Sequence, residues 1–422
     1  MEMNSAGKFL LLMMLFCNFS CGVNNYPDQK KIEGPKPIWS TRLPGKAGIY
    51  NDGLISLPVY DGKIFFHSTI FTGEKGEDNR IHALNLETGG IDWTFPCDFD
   101  PNKPMFFWGK PYLFENHMVI KMSKFEPFCK FDRILCLNLD NGSCEWKIEM
   151  PETLSQPTCK DVGGYDNQFF FVSESNKETI IFRGDVLIGD TSSMLTLRPS
   201  YGYKKLEINS SSFNTIEKTN QSLFLFSTKQ YAQQSDLNAK ESTICLLDLK
   251  TGNKISEINV LDDDDYSVTD VVLYQDMIYC VSGRKVFCLN PQTGTIEWTC
   301  KATDIFNFVT TDMLVDKDVL FLWGVNRYIG LDLKNGEIIY QHEITCGNAA
   351  VFDGIVYLIS RDGKLYVVDI LTGEIKQKIS SPENNFLTGC KPRVFERKLY
   401  VFDYFNAYCY NTDFNSDAAD LK

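Results

Sequence analysis

KVFCLNPQTGTIEW, residues 285 to 298, states a strand, a turn and a second strand in one phrase, and the rest of the chain repeats it. Lys285 to Asn290 is apolar on both faces, with Val286 and Cys288 on one side and Phe287 and Leu289 on the other, as in a strand buried on both sides. Asn290 can accept a hydrogen bond from backbone two residues on, Pro291 fixes φ, and Gly294 supplies the positive φ that closes a short hairpin as a bulge. Ile296 and Trp298, two residues apart on the return strand, are expected on one face.

The phrase recurs as RIHALNLETGGIDW (80–93), RILCLNLDNGSCEW (133–146), TICLLDLKTGNKIS (243–256), RYIGLDLKNGEIIY (327–340) and KLYVVDILTGEIKQ (364–377). Its turn glycines are Gly89, Gly142, Gly252, Gly294, Gly336 and Gly373. Two places past the glycine the residue is apolar except at Lys254, the register of a strand with one packed face. Four places past it stand Trp93, Trp146, Trp298 and Tyr340. Self-similarity of this kind marks a repeat fold.

A second phrase, a polar turn followed by an apolar strand, lies upstream of each first phrase. It runs from DGKIFFHS (61–68) to ERKLYVFD (396–403) and occurs eight times at spacings of 36 to 55 residues, which bracket the period of a four-stranded unit. Between Gly142 and Gly252 no Thr-Gly turn is found, and ETIIFRGDVLIGDTSSMLTLR (178–198) is expected to supply the outer strands of the third unit. The fourth carries a polar insertion, KQYAQQSDLNAKE (229–241). The last unit stops at Asn411 without an outer strand, while PIWSTRL (37–43) offers an outer strand with nothing before it. Trp39 aligns with Trp298, so the N-terminal strand is expected to fill the fourth place of the final unit and close a ring without open ends.

Asp and Glu outnumber Lys and Arg by 55 to 42, and no basic run is present, which argues against a nucleic-acid partner. Lys8, the apolar run 9–16 and Ser20-Cys21-Gly22 read as an export signal over 1–20, too short to span a bilayer. Residues 21–35 then form a tether, 36–412 one domain and 413–422 a polar tail. Of the 14 cysteines, Cys136, Cys245, Cys280, Cys288 and Cys409 fall at strand positions that want a small buried residue. Cys97, Cys129, Cys144, Cys159, Cys300, Cys346 and Cys390 remain for zero to two disulfides.

An apolar strand, Asp or Asn, two residues, Thr-Gly and then Trp four later resembles the repeat of pyrroloquinoline-quinone-type β-propellers, over about residues 36 to 412. The resemblance implies an all-β, eight-bladed propeller of four-stranded antiparallel blades, in which Trp39, Trp93, Trp146, Trp298 and the turn glycines are framework residues. Ser20-Cys21-Gly22 is similar to a bacterial lipoprotein signal, implying lipidation of Cys21, with simple cleavage or a retained anchor as the alternatives. Together the two resemblances imply a monomeric exported scaffold in the cell envelope, engaging protein partners of outer-membrane assembly through loops or strand addition. A glycan-binding propeller is the second reading.

Quinone-dependent dehydrogenases share the repeat but carry adjacent cysteines, Ca²⁺ ligands and a catalytic Asp; no Cys-Cys pair occurs here, and no cofactor, metal or catalytic residue is assigned. His67, His82, His117 and His342 have no metal-ligand spacing, and packed or hydrogen-bonded roles are expected for His67 and His82. Asp98, Asp100 and Asn102 open like a Ca²⁺ loop that Lys103 and Gly109 then break. Asp262 to Asp265 reads as a solvated loop, and Phe107 and Trp108 in MFFWGKPYLF (105–114) as core more readily than as a partner anchor.

Overall fold

The computed structural model describes residues 35–47, 59–71, 77–96, 105–107, 111–124, 132–149, 162–174, 178–198, 205–216, 221–231, 241–259, 268–282, 285–301, 312–324, 326–383, 386 and 390–413. The chain divides into Met1–Gly34 and Pro35–Lys422, and all of the described residues belong to the second unit.

The described strands pair into eight antiparallel sheets. The fifth is the decisive phrase with its upstream hairpin: Val268–Tyr274, Met277–Ser282, Lys285–Asn290 and Thr295–Lys301, hydrogen-bonded in chain order. The sixth (Asp312–Asp316, Val319–Trp323, Tyr328–Asp332, Ile338–His342) and seventh (Cys346–Phe352, Ile355–Ser360, Lys364–Asp369, Ile375–Ser380) repeat it. In the first and second sheets the innermost place is shared by two short pieces, Lys46–Ala47 with Val59–Tyr60 and Met105–Phe107 with Tyr112–Phe114.

The two middle strands of each sheet form the core, because both of their faces meet a neighbouring sheet. Phe321, Leu322, Ile329 and Leu331 are fully buried, for example, and the hydrophobic clusters straddle consecutive sheets. Innermost strands touch from sheet to sheet through the third to the eighth. The eighth sheet ends on the N-terminus: Trp39–Arg42 pairs with Asn406–Asn411 in the register Trp39↔Cys409 to Arg42↔Asn406, the closure expected from the two incomplete ends. Tyr400, Phe402 and Cys409 of that sheet share a cluster with Ile64, Phe66 and Trp93 of the first. The architecture is an all-β propeller of four-stranded antiparallel blades.

One expectation fails. Ile296 and Trp298 do not share a face, because the ladder slips by one residue between them: Cys288 faces Trp298 while its neighbour Leu289 faces Ile296. The slip stands at the same place in six hairpins and leaves an extra residue, here Glu297, as a bulge. The apolar residue two past the glycine is therefore not on a packed face throughout; Ile296, Ile338 and Ile375 are exposed, whereas Ile91 and Cys144 pack partly against the first core.

The third and fourth units are also clarified. Thr179–Asp185 and Thr191–Leu197 are the outer strands of the third sheet, and its turn glycine is Gly189, with φ 71°, in a Leu-Ile-Gly turn that lacks the usual threonine. In the fourth, the first residues of the polar insertion lengthen a strand, Gln221–Tyr231, which pairs with Lys205–Ile216 as far as Lys205↔Tyr231.

Candidate functional site

Consecutive sheets are fastened by one recurring contact. The indole N–H of Trp39, on the closing strand, donates to the Leu86 carbonyl of the first sheet (3.2 Å). Trp93 donates to Leu139 O (2.9 Å), Trp146 to Val186 O (2.6 Å), Trp298 to Leu333 O (2.9 Å), and the Tyr340 hydroxyl to Ile370 O (2.5 Å). Each ring lies against the next sheet's turn glycine: a Cβ on Gly89, Gly142, Gly189, Gly336 or Gly373 would stand within 2.8 Å of ring carbon. Glycine is thus required twice over, for φ near 71° and for the ring. At Gly252 the nearest side chain is Met194, 3.4 Å away, and at Gly294 it is Ser256, 3.8 Å away, so among the described residues no aromatic seats on the turn glycine at either seam of the fourth sheet.

Within the eighth sheet, the join between the N-terminal strand and Asn406–Asn411 has a fastening of its own that the sequence did not signal. Asp403 is fully buried, and its Oδ1 accepts from the Phe405 and Asn406 amides (2.7 Å each) while its Oδ2 accepts from Tyr408 Oη (2.6 Å) and Ser381 Oγ (3.2 Å). Burial pushes this carboxyl up, but the bonds from Tyr408, Phe405 and Asn406 outweigh it and hold the group below the usual carboxylate range. The turn so fixed presents the Phe405 carbonyl to the Leu43 amide (2.7 Å) and the Phe405 ring to the Arg42 guanidinium at 4.6 Å. An Asp followed by a short turn is the only trace of this in the chain, and the chain has many.

The histidines are structural in geometry. His82 is buried, with Nε2 2.7 Å from Ser68 Oγ and Nδ1 2.8 Å from Thr94 Oγ1, and it stacks on Phe66. His67 is buried beside it on the neighbouring strand; His117 pairs with Glu145 (2.9 Å), and His342 lies on Tyr328. Nine described cysteines carry free thiols, Cys144, Cys300, Cys346 and Cys390 among them. Burial pushes the thiols of Cys136, Cys346 and Cys390 up to about 12, far from a thiolate nucleophile. A cleft at the seam between the eighth and first sheets, lined by Phe66, His67, Cys390, Arg393 and Phe402, has room for about one water. The described residues include no group of three His, Cys, Asp or Glu placed to hold a metal. Among the described residues the donors for the Ca²⁺ of the dehydrogenases are not gathered, and the chain has no adjacent cysteines.

Cys21, the tether residues 21–34, Cys97, Cys129, Cys159, the Asp98-Asp100-Asn102 segment, Trp108, and Asp262 to Asp265 lie outside the described residues. Phe107 ends a strand paired to Met122, and Tyr112 donates to the Asp166 carbonyl (2.6 Å), tying the second sheet to the third.

Residues 208–390 match the model of a family described as outer membrane protein assembly factor BamB, within the PQQ-like repeats. Over those residues the chain is similar to that family, and its fold is an all-β propeller. Solved structures share its fold: BamB from Moraxella catarrhalis at 12% identity and TM-score 0.58, covering 89% of this chain and 99% of that one. Quinohemoprotein alcohol dehydrogenase from Comamonas testosteroni aligns at 11% identity and TM-score 0.62, over 90% of this chain and 77% of that one. Sqt1 from Saccharomyces cerevisiae aligns at 9% identity and TM-score 0.59, over 90% and 99%. At such identities the likeness is one of fold. No curated protein matches the sequence.

Proposed function

We propose that this PQQ-like propeller is a non-enzymatic docking scaffold of the bacterial cell envelope, exported by residues 1–20, held at the outer membrane through Cys21 and engaged in outer-membrane protein assembly. The observation that carries the reading is the match of residues 208–390, most of the fourth to seventh sheets, to the BamB family. The eight sheets are taken as eight blades, and Trp39, Trp93, Trp146, Trp298 and the turn glycines as the framework that makes the platform stiff. Alternate connections of an antiparallel sheet leave at the same end, so the turns Asn85 to Gly90 and Asp61-Gly62 and their repeats share one end. The longer connections, such as 150–162, 232–240 and 302–311, join strands at the other, where insertions can recognise partners without disturbing the ring.

The full tagged chain recovered from native envelopes is expected to retain defined outer-membrane assembly proteins, and Cys21→Ala to lose membrane attachment. Retention on polysaccharide arrays with no protein partner would favour the glycan reading instead. The alignment to a quinohemoprotein dehydrogenase makes a third test necessary: a bound chromophore and dye-linked alcohol oxidation after adding quinone and Ca²⁺ would overturn the scaffold.

A further inference from the structure

Every sheet of a propeller ends in an outer strand with one row of unpaired backbone groups, a template for another strand unless it is guarded. The bulge is common to six of these strands, Ile338–His342 included, so charge and proline are what tell them apart. Seven of the eight outer strands are guarded or polar. Ile91–Pro96 ends in Pro96; Cys144–Glu149, Lys254–Asn259, Thr295–Lys301 and Ile375–Ser380 carry Lys147, Lys254, Lys301, and Lys376 with Lys378. The closing strand carries Arg42, and Thr191–Leu197 exposes serines. The exception is Ile338–His342, the outer strand of the sixth sheet, which has no Lys, Arg or Pro and, unlike Thr191–Leu197, exposes isoleucines where that strand exposes serines.

Its two residues at the register slip are both apolar and both outside, Ile338 at 48% and Ile339 at 46% exposure. The bulged residue in five hairpins with the same slip is Asp92, Glu145, Ile255, Glu297 or Lys376, and only Ile255 among these is apolar, with Lys254 beside it. The strand cannot turn its isoleucines inward, because Tyr340 is committed to Ile370 O and to Gly373 of the seventh sheet. Exposed Glu337 and Glu343 flank it, the latter within 3.4 Å of Arg327 but 81% exposed as a side chain.

We infer that the edge Ile338–His342 takes an extended segment of a protein partner by strand addition, a segment apolar at its centre and carrying Lys or Arg at its ends. Charge decides the occupant. A second copy laid antiparallel about Tyr340 would set Glu337 against Glu343 at both ends, a like-charge clash, whereas cationic ends meet an acid at each. This edge rests on the docking reading and gives that reading a place and a class of partner.

The probe is the peptide Lys-Val-Thr-Val-Thr-Val-Lys, acetylated and amidated, added to the full chain, with hydrogen exchange followed by mass spectrometry and binding by fluorescence anisotropy. Protection is expected over 337–343, with affinity falling about tenfold in Ile339→Lys and about tenfold when the peptide's lysines become glutamates. Ile296→Lys, on a guarded edge, is expected to bind as the parent does, and both variants to melt as the parent does, since both side chains are exposed. Unchanged binding in Ile339→Lys, or protection at another sheet's edge, overturns the assignment while leaving the scaffold reading standing. A dimer abolished by Ile339→Lys assigns the edge to a second copy and overturns the occupant. Peptide protection at 337–343 with no protein recovered from envelopes would remove the scaffold reading and leave the edge.

Discussion

The seam from the first sheet to the second and the seam from the third to the fourth join the same kinds of strand by different means. At the first, Trp93 is nine-tenths buried, bonded to Leu139 O and seated on Gly142; at the other, Met194 only approaches Gly252. The turn backbone is the same, with φ of 72° at Gly142 and 74° at Gly252. Fastening and turn geometry are therefore separable in this protein: the glycine is kept for its φ even where no ring needs the room. What the fourth sheet keeps is contact along its long inner hairpin, Lys205–Ile216 with Gln221–Tyr231, and between its inner strand and that of the fifth.

Removing the fastening should give the largest effect. Trp93→Ala is expected to cost ~3–5 kcal/mol in denaturant unfolding through lost burial and a residual cavity, and Met194→Ala less; equal losses would break the comparison. Glycine substitution separates the two demands more finely. Gly252→Ala should cost about 1–2 kcal/mol, the left-handed strain alone. Gly142→Ala should cost that and about 1–3 kcal/mol more, because its Cβ would meet the Trp93 ring at 2.5 Å.

The closing seam offers a comparison by pH. Asp403 is held below the ordinary carboxylate value in the folded chain, so its contribution is complete above that value and is lost as pH falls through the depressed folded one. Hydrogen exchange over 38–43 should accelerate in that acid window before exchange in the seventh sheet does. Asp403→Asn should cost about 1.5–3 kcal/mol at neutral pH and flatten the acid dependence of the seam. The smallest expected effect is a gain: Ser256→Trp, facing the open Gly294, should add a fastening worth about 1 kcal/mol and raise the melting temperature.

Much of this was legible because the repeat is written in local chemistry. Asn290 Oδ1 does accept from the Gln292 amide (3.0 Å), Gly294 has φ 71°, and Trp39 pairs with Cys409 as Trp298 pairs with Cys288, since turn residues and strand alternation act over a few positions. The slip between Ile296 and Trp298 was not legible, because a bulge leaves composition and spacing unchanged and shows only in which residue faces which. Gly189 was overlooked for a related reason: its turn has the right conformation without the usual threonine. The Asp403 cluster gathers Ser381, Phe405, Asn406 and Tyr408 from two connections and a strand.

By itself the sequence determined that this chain is a ring of repeated antiparallel sheets closed by its own N-terminal strand, because each unit encodes its turns and buried faces within about forty to fifty residues. Only the tertiary structure decided which aromatic sits on which glycine, which carboxylate holds the closing turn, and which outer strand stands unguarded. Those depend on how one sheet meets the next, and a neighbour that lies a whole unit away along the chain leaves no local signal of its approach.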